Sequence, residues 1–376
     1  MAATAAPEIA PALNSDGDDL TLVINGSRLS GWSAIEVTRG IEQMPSTFII
    51  EATDANPNLR DALNVQDGTP CTVFLGPDRV VTGYVDTVIR SYSGGAHVVQ
   101  IQGRGKCQDL VDCSAEWKGF QISGSNAFSI AQKLCEPYGI TAQLLGDPGP
   151  TVQQFNLNIG ETPATIIEKV TRQAQLLYFE DPNGNLVLSK AGIDRAASGV
   201  MEGGNVQQAS TIRSQAGRYS DYTVSLLGLY TDGTITSDVA FPFTARDPNV
   251  KRHRKVYNIE DQVYGGGLLA AATAIWRSAR MAGRGERVVA IVDSWRDAAG
   301  KLWTPNTLVP VSLPRLQVKG ETLCLSRVTY RFDLSAGRTS ELELMPKSAF
   351  LPEPLQLQPL IPGAIGPPTS ARAPTK

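Results

Sequence analysis

A chain of 376 residues is too long for one ordinary hydrophobic core, so two to four structural units are expected. Its formal net charge of −3 argues against a dedicated nucleic-acid binder, and no apolar run approaches the ~20 residues that span a bilayer. With 42% hydrophobic against 19% charged residues the chain can bury real cores, and five scattered cysteines suit reduced thiols better than a disulfide framework.

Residues 1–19 have neither the basic start nor the greasy centre of a signal peptide and read as a flexible arm. Residues 20–106 are β in pattern. "TLVING", "SAIEVTRG", "STFIIEATDA", "TPCTVFLG", "RVVTGYVDTVIRSYSGG" and "AHVVQIQGR" are strand-length runs cut by Gly, Pro, Asn and Asp, and "YSGGAH" reads as a hairpin turn. About six short antiparallel strands predict a first small β-barrel, closed or half-closed, because closure removes exposed sheet edges.

From residue 107 to 190 the apolar period lengthens to three or four, which predicts an α+β insert. In "SGSNAFSIAQKLCEPYGI", Ser125 is placed to cap a helix and Gly139 to end it. In "GETPATIIEKVTRQAQLLYF", Thr162 is the expected N-cap and Pro163 the first helical residue. Ile166, Ile167, Val170, Ala174 and Leu177 face inward. Pro182-Asn183-Gly184 makes a tight turn between two strands.

Residues 191–350 return to β pattern and predict a second small barrel with a helix-containing insertion around 246–285. That helix carries Leu268, Ala271, Ala272, Ile275, Trp276 and Ala279 on one side, with Arg277, Arg280 and Arg284 toward its end, where cations suit the dipole. Hairpin turns are expected at Ala299-Gly300 and Ala336-Gly337. Residues 351–376 form a Pro-rich tail without helical period.

The inventory for chemistry is thin. His97 lies in a strand pattern and His253 in the basic run "KRHRK", neither with a partner at metal-ligand spacing. Cys107 and Cys113 stand in "GRGKCQDLVDCSAEW" as C-x5-C; they read as small, semi-buried residues beside Leu110-Val111 rather than as a metal or redox pair. Gly265-Gly266-Gly267 reads as a flexible lead into a helix. Asp18-Asp19 has no apolar pocket around it, and Glu136, Glu161 and Glu168 lack an obvious partner for acid–base work. The basic run reads as a solvated loop or a contact with an acidic neighbour, giving only weak, salt-sensitive attraction for DNA. Trp32, Trp117 and Trp303 read as barrel plugs or subunit contacts before sugar-binding platforms. No catalytic residue, cofactor or metal ligand is assigned, and enzymatic activity is not expected.

The order of units, together with "GYVDTV" at 83–88, "GRGKCQDLVDCSA" at 103–115, the insert helix with its "NGNLVL" hairpin, and "KLWTPNTLVPV" at 301–311, resembles the baseplate hub proteins of Mu-like contractile-tailed phages. It is more distantly similar to the T4-type hub and the N-terminal half of type VI secretion spikes. The resemblance covers residues 20–350 or so and implies a homotrimer in which two β-barrels per chain alternate around an axis. Three copies then show six similar barrels, adapting a six-fold tail tube or tube-initiating protein above to a trimeric spike below, with wedge proteins around and an axial conduit for DNA. It implies a virion component made in the host cytoplasm, with no stable membrane insertion and DNA in transit but not specifically bound. On this reading Asp109 and Asp112 hold backbone at a corner, and the strands "RVVTGYVDTV" and "LCLSRVTYRF" pair with neighbouring copies. The alternatives are a tail-associated peptidoglycan-cleaving or carbohydrate- or receptor-binding protein, and the hub of a tailocin or related contractile device.

Overall fold

The computed structural model describes residues 18–53, 64–94, 96–227, 239–260, 266–355 and 357. The N-terminal arm before residue 18, the "GLYTDGTITSD" stretch at 228–238, Gly265 and the Pro-rich tail past Leu357 lie outside the described residues.

The first unit contains β1 (Leu20–Ile24), β2 (Ser27–Leu29), β3 (Ala34–Gly40), β4 (Thr47–Thr53), β5 (Pro70–Leu75), β6 (Asp78–Ser93) and β7 (Ala96–Gly105). They pair antiparallel in the order β3-β4-β7-β6-β5-β1-β2. Alternation sets the inner face: Leu20, Leu22 and Ile24 on β1 and Cys71, Val73 and Leu75 on β5 are all buried. The β6–β7 hairpin turns where "YSGGAH" predicts, with Ser93 opposite Ala96 and Gly94 at φ 50°.

The insert contains α1 (Gln108–Asp112), β8 (Gln121–Ser125), α2 (Ala127–Cys135), β9 (Ala142–Leu145), β10 (Val152–Asn156), α3 (Pro163–Ala174), β11 (Leu177–Glu180) and β12 (Leu186–Ser189). The cap of α2 is Asn126, whose Oδ1 accepts from Ser129 N at 2.9 Å, and not Ser125. Ser125 is instead the last residue of β8, opposite Val152. A left-handed Gly139 closes the short turn that follows α2. Helix α3 starts as the sequence predicts: Thr162 Oγ1 accepts from Thr165 N, Pro163 opens the helix, and Ile166, Ile167 and Val170 are buried. They join Ile130, Leu134, Ile122, Leu186 and Leu188 in a core belonging to this segment.

The remaining main-sheet strands are β13 (Asp194–Arg195), β14 (Val200–Met201) and β15 (Val206–Arg213), then β19 (Glu286–Val292), β20 (Thr307–Leu313), β21 (Val318–Asp333) and β22 (Gly337–Met345). Between β15 and β19 lies a separate layer. Strands β16 (Asp221–Leu227), β17 (Val239–Arg246) and β18 (Lys255–Glu260) form a three-stranded sheet, covered by helix α4 (Gly266–Arg284).

Strand β21 joins the two β units. It pairs with β22 along one side; on the other its first half meets β20 and its second half meets β3, from Arg327 opposite Gly40 to Asp333 opposite Ala34. One hydrogen-bonded path therefore runs from β15 to β2, and one buried cluster contains Leu22, Phe48 and Ile101 together with Trp295, Trp303, Tyr330 and Leu342. The molecule is mainly β, as expected. Its two groups of strands share a hydrogen-bonded sheet and a buried core. A local strand pattern carries no information about such sharing, because the pairing joins residues about three hundred positions apart.

The face of α4 is inverted relative to expectation. Ala270, Thr273 and Ala274 are buried, with Ala270 and Ala274 packed on Val224 and Ala245 of the small sheet, while Leu268 and Ile275 are 66% and 56% exposed. The sheet beneath accepts alanines at these positions; Leu269 is buried as well, while Leu268 and Ile275 are turned outward.

Candidate functional site: the joints between units

The corner that leaves the first unit is built around one buried carboxylate. Glu180, at the end of β11, accepts from the backbone N–H groups of Ser46 (Oε2, 2.8 Å) and Cys107 (Oε1, 2.8 Å). Burial pushes its pKa up, against the pull of those two N–H donors and the nearby Arg39. Gly105 is required here: a Cβ on it would lie 1.9 Å from Glu180 Oε2. Gly105 N donates to Ser46 O at 2.8 Å and Lys106 N to Thr82 O at 2.9 Å, so the corner is tied to β6 and to the β3–β4 connection.

The β11–β12 hairpin docks on the same corner. Asp181 accepts from the backbone N–H groups of Asn183 and Asn185 (2.8 and 2.9 Å), shaping the turn. Arg79 donates to Asn183 Oδ1 and Thr82 Oγ1 to Pro182 O, both at 2.9 Å. Gly184 lies at φ 75°, and a Cβ there would come within 2.8 Å of Lys106 Cβ. On the outer side Arg104 bridges Asp86 and Asp112, the latter at 2.7 Å. The hydrogen bond to Asp112 heads the interactions that raise the arginine's pKa. Asp112 thus serves an ion pair between β7 and α1 rather than capping backbone as expected. Burial and Asp112 together raise the pKa of Asp109.

A second joint ties the insert to the far β unit. Asn306 Oδ1 accepts from Gly192 N at 2.6 Å, while its Nδ2 donates to Ser189 Oγ and Lys190 O at 2.9 and 3.0 Å. The third joint lies along the β3–β21 seam. Thr38 and Thr329 hydroxyls meet at 3.0 Å, and Arg331 bridges Glu36 and Glu341. Near it Arg296 donates to Asp18, Asp78, Leu75 O and Gly300 O, tying the hairpin at Ala299-Gly300 to the start of the chain. The four stretches that carry the family resemblance all fall on these joints. "GYVDTV" supplies Asp86, "GRGKCQDLVDCSA" supplies Arg104 to Cys107 and Asp112, "NGNLVL" supplies the docked hairpin, and "KLWTPNTLVPV" supplies Asn306.

The side chains weighed for chemistry are dispersed. Cys107 is fully buried with Sγ 3.7 Å from Gly184 O, and burial beside Glu180 lifts its pKa well above the usual thiol value. Cys71 and Cys135 are pushed up to about 12 and Cys324 to about 11 by burial, while Cys113 is half-buried. All five are free thiols. Among the described residues no group of three His, Cys, Asp or Glu side chains could hold a metal ion. Glu161 pairs with Lys169, Glu168 lines a cleft with Arg172 and Arg280, and Glu136 sits in the turn after α2. Trp32 and Trp303 are core residues and Trp117 packs on the insert core, so the first two cannot present rings to a sugar. In the basic run Arg254 is structural, donating to Gln215 O at 2.7 Å and stacking 5.2 Å from the Tyr219 ring; Lys251, Arg252 and His253 are exposed.

The two strands expected to pair with neighbouring copies are engaged within the chain. "LCLSRVTYRF" in β21 has partners on both sides; the first half of "RVVTGYVDTV" is taken by β5 and the second by β7. Among the described residues the main path instead ends at β15 and β2, and β17 and β18 are the outer strands of the small sheet. Sequence reading missed Glu180, Arg296 and Asn306 because the partners that make each a joint lie about seventy or more positions away. The signal present was clear only for Asn306, an amide that follows Pro305 immediately before β20.

Comparison with known proteins orders these units. Residues 19–105 match the family described as Mu phage baseplate assembly protein GpP-like, N-terminal; residues 107–190 match the baseplate hub protein gp44-like second domain; residues 268–353 match the fourth domain of the Mu phage baseplate assembly protein GpP. The chain is 28% identical over 340 residues to the baseplate hub protein gp44 of Escherichia phage Mu, covering 88% of this chain and 89% of that one. Among solved structures, the 43 kDa tail protein of prophage MuSo2 from Shewanella oneidensis aligns with a TM-score of 0.79 at 28% identity, over 88% of this chain and 99% of that one. A tail protein from Neisseria meningitidis shares the fold, with a TM-score of 0.75 at 18% identity over 90% and 99% of the two chains.

Proposed function

We propose, from the premise that this chain belongs to the family of Mu-like baseplate hub proteins and is a structural part of a phage tail, that three copies close a ring in which the two β units of each copy alternate. Six similar units then face a six-fold tail tube, while the three-fold symmetry of the ring matches a trimeric spike below, leaving an axial passage for DNA.

The observation that carries this reading is the β3–β21 seam. A symmetry adaptor needs its two spokes held at a fixed angle, since three flexible pairs would not present six equivalent positions. Seven residue pairs of continuous ladder, one shared core and the Arg296 and Arg331 bridges supply that rigidity. The relatives named above are tail and baseplate proteins, and the buried, hydrogen-bonded polar groups at the joints serve geometry and not turnover. The exposed Lys251 and Arg252 add only a weak, salt-screened attraction for passing DNA.

Light scattering on the purified chain, alone and with its tube and spike partners, tests the reading. The expected species has three times the 40.3 kDa chain mass. A complex with tube and spike containing one, two or six copies would refute it.

A further inference from the structure

The outward face of α4 floors a groove of about 600 Å³. It is lined by Leu268, Leu269, Ala272, Ile275, Trp276 and Ala279 of α4, by Gln173 and Gln175 at the end of α3, and by Leu351, Pro354 and Leu355. No charged side chain lines it, although the chain is 19% charged overall. Two aliphatic side chains more than half exposed in one uncharged groove mark a surface built to be covered.

We propose that the occupant is this chain's own C-terminal segment, residues 359–365, "PLIPGAI", folded back along α4 of the same copy. Three observations carry this. The chain is delivered to the groove by a fixed strap. Trp276 Nε1 and Arg280 Nη1 both donate to Leu351 O (2.7 and 2.8 Å), Arg284 donates to Ala349 O at 3.1 Å, and Arg172 pairs with Glu353. Leu355 therefore lines the groove, and Leu357 packs on the insert core.

The composition beyond the strap also matches the groove. Between Glu353 and Arg372 there is no charged residue, and Leu360, Ile361, Ala364 and Ile365 supply apolar side chains. A neutral, apolar segment meets a neutral, apolar lining without burying a charge.

Length closes the argument. A run of eight residues, the number from Gln358 to Ile365, can reach about 25 Å at ~3.1 Å per residue. The exposed stripe from Leu268 to Ala279 runs only about 17 Å at ~1.5 Å per residue. Prolines also reduce the chain entropy lost on docking. The proposal stands on the groove and strap alone, so it is independent of whether the chain is trimeric.

Hydrogen exchange on the full chain and on a chain ending at Leu357 tests it. Removing 358–376 is expected to speed exchange across residues 268–279 by on the order of tenfold, and adding a peptide of residues 356–368 to reverse it. A full chain carrying A272C and I361C is expected to cross-link at the mass of one chain on a denaturing gel, whereas A272C alone should not. Ala272 is exposed, so this pair leaves the fold intact. Unchanged exchange on truncation overturns the proposal. A cross-link found only at twice the chain mass does so too, showing that a second copy supplies the segment.

Discussion

Helices α3 and α4 look alike as sequence and behave oppositely as structure. Both are amphipathic, and both carry an apolar stripe at three- and four-residue spacing. In α3 the stripe of Ile166, Ile167 and Val170 disappears into the insert core. In α4 the stripe containing Leu268 and Ile275 faces outward, and the buried positions include Leu269, Ala270, Thr273 and Ala274. Periodicity states that a helix has an apolar face; it does not state whether the cover comes from the same fold. The exposed pair Leu268 and Ile275 leaves this face open to a cover from another segment, which the proposed docking of the C-terminal segment would supply.

The contrast can be broken first at α3. Ile166→Ala is expected to destabilise the chain by about 2–5 kcal/mol in urea unfolding, since a fully buried side chain leaves a cavity. A cost no greater than that of an exposed substitution would deny the insert its core. Slightly smaller is the joint itself. Glu180→Ala leaves the N–H groups of Ser46 and Cys107 without their acceptor, each worth about 1–3 kcal/mol when buried. Relief of a carboxylate whose pKa burial has raised offsets part of that loss. Limited proteolysis should then cut near Lys106 faster than in the parent; an unchanged digestion pattern would show that the joint holds without the carboxylate.

The layer beneath α4 has a polar tie of its own. Arg218 Nε meets Asp247 Oδ2 at 2.6 Å with both side chains buried. Burial raises the Asp247 pKa, but the guanidinium and the Asn249 N–H outweigh it and hold the carboxyl below its usual value. A folded-state pKa below the unfolded one means the contribution is present above about pH 4 and is lost as pH falls through the folded value. Asp247→Asn should therefore lower stability at neutral pH and flatten the acid side of the stability curve below about pH 4. An acid limb as steep as in the parent would contradict the pairing. Glu180 has the opposite sign: its raised pKa favours the fold below the ordinary glutamate value, and that share fades as pH rises through the folded pKa. Smallest of all, Ile275→Ser should change the stability of a chain ending at Leu357 by no more than about 0.5 kcal/mol, as for an exposed site. A loss comparable with Ile166→Ala would show that the face is already covered.

What the sequence reveals here is local. Thr162 and Pro163 announce α3 because capping and the missing proline N–H act within one turn. The turns at Gly94, Gly300 and Gly337 are readable because each has φ between 50° and 77°, which glycine tolerates. Ser125 and Asn126 are equally good caps in principle; pairing of Ser125 with Val152 decides between them, and that partner is twenty-seven positions away. The seam lies further still from local reading. The alternation of β21 is visible, yet its choice of β20, β22 and β3 as partners depends on a shared core that forms only when both ends of the chain meet. Function follows the same division. The motifs that carry the family resemblance sit at joints, where Gly105 leaves no room for a Cβ and Glu180 and Asn306 hold backbone from distant segments.

The rigid pairing of two β units through β3 and β21 is the claim on which the ring depends, and the copy number of the assembled hub tests it most directly. Native mass measurement of the chain bound to the tube and spike proteins proposed as its partners should give three copies, each of 40.3 kDa. Any other copy number in that complex would contradict the account.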